Sequence, residues 1–205
     1  MNTCKISPKR VLYMAIGLVV LALGIAMFRL ARLGNDPFTG MCFAISDRYG
    51  ISLGVLEMGV NALLFVLMLL TMRSYIGVGT FLNAFLVGYV VEFFAHLLES
   101  IWAPESLPVR LLICFVALMV TGLGCSLYMS ADMGISPYDA VAKGMAERLP
   151  VRFFFCRIFT DALCVLVCWW QGGILGVGII LSAFCLGPFI SLFDTYVSGP
   201  LYKNC

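Results

Sequence analysis

Every residue pattern of note in this chain occurs twice. Leu23-Gly24, Ala31, Gly34, Pro37 and Arg48 recur 100 positions later as Leu123-Gly124, Ala131, Gly134, Pro137 and Arg148. A second block, Gly77-Val78-Gly79, Leu82, Ala84-Phe85, Gly88 and Phe94, returns 99 positions on as Gly176-Val177-Gly178, Leu181, Ala183-Phe184, Gly187 and Phe193. Positions 76–94 contain 8 identities in 19, where unrelated segments of this composition agree at roughly one position in ten. Duplication is the economical source. It constrains the fold more than any single motif, because whatever one half forms the other must form too.

With 62% hydrophobic and 12% charged residues and a mean hydropathy of +1.03, the chain has the composition of a polytopic membrane protein. About 20 apolar residues cross the hydrocarbon layer as a helix. Six such runs are present: Val11–Phe28, Ile51–Met72, Ile76–Leu98, Val109–Met129, Phe153–Trp170 and Ile174–Val197. The first follows a basic stretch (Lys5, Lys9, Arg10), but it is too long for a signal-peptide core and is expected to remain as a span.

The fold class is therefore an all-α membrane protein of one domain, residues 1–205, with three spans in 11–98 and three in 109–197. Three is odd, so the copies enter the membrane from opposite faces. Inverted-topology repeats of this kind are frequent among secondary transporters. Lys5, Lys9, Arg10, Arg73, Lys143, Arg148, Arg152 and Lys203 collect on one face, against Arg29, Arg32, Arg48 and Arg110 on the other, which places both termini in the cytoplasm. The lipid bilayer is the expected partner. A net charge of +2 without a soluble basic domain gives no basis for nucleic-acid binding, and homo-oligomerisation stays open.

The first span of each copy is followed by the same local grammar. Arg32-Leu33-Gly34-Asn35-Asp36-Pro37 and Asp132-Met133-Gly134-Ile135-Ser136-Pro137 read as helix stop, cap and restart: a Gly suited to a left-handed ending, a side-chain cap, then Pro at the first helical position. Asp139 after Ser136 adds a capping-box-like spacing. The restarted helices, Pro37–Arg48 and Pro137–Arg148, span about 18 Å at ~1.5 Å per residue, too short to cross. Two placements fit. Either they lie in the two interfaces, with Phe38 and Tyr138 toward headgroups and Lys143, Glu147 and Arg148 solvated, or they are re-entrant half-helices whose N-termini converge on a ligand.

The Gly-x-Gly openings at Gly77, Gly79 and Gly176, Gly178 lack the third Gly and the βαβ setting of a nucleotide fingerprint. With Gly88 and Gly187 they are helix-packing candidates, since small residues let backbones approach where lipid gives no hydrophobic drive for association. Nine cysteines without a C-x-x-C pair, and one histidine, His96, make packing the expected role of the thiols, with no cofactor or metal.

Intramembrane polar residues are site candidates by default. Glu57 and Asn61 lie one turn apart on the second span; the repeat puts Arg157 and Asp161 at the equivalent positions of the fifth. Asn61 and Asp161 fall about 15 Å into their spans, near the midplane from either side, and Glu57 and Arg157 about 9 Å from opposite faces. Arg157 and Asp161, at i and i+4, are the natural ion pair. In the functional alternative Asp161 titrates or holds a cation while Arg157 binds an anion. Glu92 and Asp194, near span ends, are expected to be solvated.

The motifs A-x-L-G-x-x-P at Ala31–Pro37, A-x-M-G-x-S-P-x-D-A at Ala131–Ala140, the Gly-x-Gly openings and Leu186-Gly187-Pro188 resemble the YczE/YitT-like group of bacterial integral membrane proteins. The resemblance runs from about Val11 to Val197. It implies a multi-pass protein of the bacterial cytoplasmic membrane and supplies no catalytic residues. Without a nucleophile beside a base, an enzyme is not expected. The leading expectation is a small secondary transporter of an unidentified small solute bound near the midplane. The alternatives are a substrate-binding subunit similar to an energy-coupling-factor component, docking through Ala22 and Ala26, and a non-transporting membrane regulator.

Overall fold

A computed structural model describes residues 8–151 and 153–203; Cys4, Lys5, Arg152 and Cys205 lie outside them. It is all helical, with no strand among the described residues. The order is α1 (Pro8–Ala31), α2 (Pro37–Tyr49), α3 (Leu53–Thr71), a short 3₁₀ turn (Arg73–Tyr75), α4 (Val78–Ile101), α5 (Leu107–Met129), α6 (Pro137–Arg148), α7 (Phe153–Trp170) and α8 (Val177–Phe193). A π turn (Asp194–Ser198) then leads into α9 (Gly199–Lys203). By length and composition α1, α3, α4, α5 and the run Val177–Tyr202 can each cross a membrane. The sixth apolar run is α7, whose 18 residues coincide with the run read from sequence.

The helix stops and restarts follow the expected grammar with one change. Arg32 and Asp132, not the glycines, turn left-handed first, at φ 51° and 52°. Gly34 and Gly134 follow at φ 95° and 107° because the other half presses on them: a Cβ on Gly134 would lie 2.5 Å from Thr80 Oγ1 and 2.6 Å from the Gly77 nitrogen. The restarts are capped as read. Asp36 accepts from the Thr39 N–H at 3.0 Å, and Ser136 Oγ accepts from the Asp139 N–H at 3.1 Å.

The halves engage through contacts that recur at the repeat offset. α1 packs most extensively on α5, where Gly24 lies against Thr121 and Gly124 against Leu21, leaving no room for a Cβ at either glycine. The Gly79 N–H donates to the Met133 carbonyl at 2.8 Å, and the Gly178 N–H to the Leu33 carbonyl at 2.7 Å. α2 lies mainly against α7, while α6 packs on both α7 and α3. Both short helices begin buried, at Pro37 and Thr39 and at Pro137 and Tyr138, and end exposed at Arg48 and Arg148.

Charged residues at the helix ends are held by local partners. Arg29 bridges Asp47 and Glu99, both at 3.0 Å; Arg110 donates to the carbonyls of Ala31 at 2.7 Å and Arg32 at 2.6 Å; Arg48 donates to the Trp170 carbonyl at 3.2 Å. Elsewhere Tyr75 donates to Glu147, Lys143 lies 4.5 Å from the centre of the Tyr75 ring, and Arg148 donates to the Thr71 carbonyl at 2.8 Å. Glu92 and Asp194 are more than solvated charges. Glu92 caps the start of α3 by accepting from Ser52 Oγ at 2.6 Å and the Gly54 N–H at 3.1 Å, and Asp194 accepts from Ser130 Oγ at 2.6 Å. Ala22 and Ala26, the suggested docking face, are fully buried.

The halves differ in one respect that matters. α3 and α4 pack together, whereas α7 and α8 lack a comparable interface. A Cβ on Gly88 would fall 2.6 Å from Glu57 Oε2 and 3.2 Å from the Gly54 Cα, while one on Gly187 would meet nothing within 4 Å. Gly187 therefore departs from its expected packing role, because α7 stands away from it.

This contrast is measurable. Gly88→Ala gains helix propensity of ~1 kcal/mol but forces apart a tight contact, a change that typically costs about 1–3 kcal/mol. Gly187→Ala gains the propensity alone. Thermal unfolding in detergent should show Gly187→Ala at or above the parent Tm and Gly88→Ala below it; equal losses would mean that α7 and α8 are packed after all.

Candidate binding site

The buried starts of α2 and α6 meet in the interior. Phe38 and Tyr138, equivalent positions of the two copies, stack with ring centroids 4.8 Å apart and planes at 30°. In the interfacial placement Tyr138 would turn toward headgroups; its hydroxyl instead donates to Asp161 Oδ1 at 2.6 Å. A helix of this length that begins in the bundle can bring its first turn to the centre, and both do.

Beside the stacked rings lies the charged cluster of the second half. Arg157 pairs with Asp161 at 3.2 Å, the expected i,i+4 contact, and also with Asp139 from α6. Its guanidinium carbon lies 4.7 Å from the centre of the Tyr138 ring, a cation–π distance. Arg157 is thus held by two carboxylates and a ring face. Asp139, named in sequence only for its capping role, is the partner missed there; α6 brings it to α7 from 18 residues away.

Glu57 and Asn61 reach the same place from α3, 4% and 3% exposed. Among the described residues Glu57 has no salt-bridge partner. A cavity of about 110 Å³ separates it from Arg157, lined also by Asp36, Asn83, Thr121, Tyr128 and Asp139. Leu21 and Ile25 of α1 and Leu186 of α8 complete the wall, so all eight larger helices contribute. Of the four sequence candidates, Glu57, Asn61 and Arg157 line the cavity, and Asp161 stands behind Arg157 as its partner.

Buried polar groups almost always find hydrogen bonds. Among the described residues the exceptions are Arg10 Nε, Asp36 Oδ1, Thr121 Oγ1 and Tyr128 OH, and the last three residues all line this cavity. Thr121 and Tyr128 are 3% and 2% exposed. Sequence could not single them out, since a Thr and a Tyr in an apolar helix are ordinary until their hydroxyls are seen without partners. The described thiols line walls and gaps: Cys42, Cys114, Cys156, Cys164 and Cys168 are buried and free. His96 is 75% exposed in its side chain, beside Glu92.

A wider cavity of about 640 Å³ opens at the end bearing Arg29 and Arg48, between α2 and the connection from α7 to α8. It is lined by Asn35, Gly40, Ala44, Gln171 and Gly173 among others, and so reaches the neighbour of Asp36.

The chain is similar to proteins known from sequence. A family model described as "Family of unknown function (DUF6198)" matches residues 8–195. Uncharacterized membrane protein YczE of Bacillus subtilis is 24% identical over 172 residues, covering 83% of this chain and 79% of that protein. Uncharacterized protein YyaS of the same organism is 26% identical over 181 residues, covering 87% and 89%, and an uncharacterized protein of Haemophilus influenzae is 25% identical over 186 residues, covering 90% and 83%. No solved structure matches.

The partner map sets an order of stabilities. Arg157→Met leaves Asp139 and Asp161 without their shared cation, a loss below the ~3–5 kcal/mol of a fully buried pair because these side chains are 27% and 13% exposed. Glu57→Gln removes a carboxylate that has no partner and should hold or raise the Tm. Thermal unfolding of both purified variants tests this; a Glu57→Gln loss as large as that of Arg157→Met would mean that Glu57 is paired.

Proposed function

The chain belongs to the DUF6198 family of unknown function, and from that premise we propose that it is a small secondary transporter. Its two inverted three-span repeats would bind a small solute at their junction near the bilayer midplane. One observation carries the reading: an internal cavity, lined by every larger helix of both halves, holds a carboxylate oxygen and two hydroxyls that the protein itself leaves unmatched. A helix bundle serving only as scaffold gains nothing from such groups, because each costs free energy in a low-dielectric interior.

Several features support the inverted arrangement. Three spans in each copy would give the copies opposite orientations, and the contacts Gly24 on Thr121 with Gly124 on Leu21, Gly79 to Met133 with Gly178 to Leu33, and Phe38 on Tyr138 are each their own counterpart under exchange of the copies. On this reading α2 and α6 are re-entrant half-helices. Broken helices that bring their N-termini to a midplane site are the recurring device of such transporters.

The unequal packing of the halves supports alternating access. Gly88 closes α4 onto Glu57, while α8 stands off α7 at Gly187. By the distribution of Lys and Arg, the tight contact at Gly88 would lie in the half of the bundle away from the cytoplasm and the gap at Gly187 in the half toward it. Exchange of the two packings between halves would carry the site from one face to the other: Gly187 would come to rest on α7 as Gly88 rests on α3.

The test is flux. Proteoliposomes on a solid-supported membrane, challenged with a panel of small amines, alkali salts, carboxylates and neutral solutes, should give protein-dependent currents for one chemical class, lost in Glu57→Gln. Gly187→Trp, which fills the gap that α8 would close, should bind but not transport. No flux for any class, with an ATPase copurifying from the native membrane, would favour the energised-subunit reading; no flux and no ATPase would favour a regulator.

A further inference from the structure

Resting on the transport reading above, we infer that the cavity at the junction of the halves takes a cation, either a bare alkali ion or the ammonium head of a small amine. The positive groups that could attract an anion are already matched. Arg157 is held between Asp139 and Asp161, and the N-termini of α2 and α6, with their partial positive charge, are capped from within by Asp36 and Ser136. What remains is acidic: Glu57, 4% exposed and without a salt-bridge partner among the described residues, and the buried second oxygen of Asp36, which accepts no hydrogen bond.

The neutral groups point the same way. Thr121 Oγ1 and Tyr128 OH are buried and unpartnered in the wall of the same cavity. A cation uses carboxylate and hydroxyl oxygens together, which is the donor set that hard cations and ammonium groups prefer. At about 110 Å³ the cavity suits an ion or a group of a few heavy atoms.

The experiment is thermal unfolding of the purified full chain in sodium, potassium or methylammonium chloride, against N-methylglucamine chloride at equal ionic strength, a cation too large for the cavity. One of the three small cations should raise the Tm, by roughly 5–10 °C at 100 times its dissociation constant. Stabilisation by sodium or potassium identifies an inorganic ion, and stabilisation by methylammonium alone identifies an amine. The shift should vanish in Glu57→Gln, and Thr121→Val and Tyr128→Phe, milder changes in case Glu57→Gln misfolds, should each weaken half-saturation about tenfold. No shift with any small cation, or one that follows the anion among N-methylglucamine chloride, acetate and phosphate, overturns the assignment. Cation stabilisation without flux leaves the assignment and removes transport; flux of an anion or neutral solute without cation stabilisation does the reverse.

Discussion

A helix broken within an apolar bundle exposes backbone groups that its own turns no longer satisfy, and in such surroundings each must find a partner. This chain breaks twice, after α1 and after α5, and both breaks are repaired from outside the helix that ends. The Leu33 and Met133 carbonyls receive the Gly178 and Gly79 N–H groups of the opposite half, and Arg110 closes the last carbonyls of α1. The restarting helices are closed by Asp36 and Ser136. Neither half can satisfy its break alone. The glycines of the second shared block therefore have a specific role, since an N–H can reach the opposite carbonyl only where no Cβ intervenes. Because the breaks are tied across the halves, the first turns of α2 and α6 are held at the centre, and the cavity exists because they are.

Much of this was legible. The six apolar runs, the two short helices, their caps and the Arg157–Asp161 pair all follow from period, span length and local grammar, which are properties of neighbouring residues. What was not legible depends on residues far apart in sequence. Asp139 reads as a capping residue until α6 lies beside α7, and Thr121 and Tyr128 read as ordinary helix positions until their hydroxyls prove to be unpartnered. Tyr138 looked suited to an interface because aromatic residues with one polar atom usually are; stacking on Phe38 and a bond to Asp161 hold it inside instead. Gly187 shows the limit of reading by symmetry. Its letter matches Gly88, but a small residue permits close approach without causing it, and here the neighbouring helix has not approached.

Where the copies diverge, they do so together. The positions Thr39, Glu57 and Asn61 of the first half correspond to Asp139, Arg157 and Asp161 of the second. If one position had changed alone, Arg157 would face neutral neighbours or two aspartates would face each other, each an expensive arrangement in a low dielectric. Changed together, they give one half a carboxylate without a cationic partner and the other a guanidinium held by two carboxylates. Each triplet then carries a formal charge of −1 when ionised, and Asp36, where the second half has Ser136, adds a further carboxylate on the side of Glu57.

That division separates two roles that a symmetric site would have to combine. The Arg157 cluster is internally matched, with a ring face, a hydroxyl donor and two carboxylates arranged around it, and such a network gains rigidity from being satisfied. Glu57 is unmatched yet mechanically confined, because Gly88 presses α4 directly against it. A group held in place by packing while lacking an electrostatic partner is preorganised for something that arrives and departs. Loss of packing at Gly88 would free Glu57 to find water, and a partner built into the protein would leave it nothing to recognise. The tight contact on one side of the bundle and the gap at Gly187 on the other are therefore two parts of one arrangement, in which the first half holds the group that binds while the second is free to open.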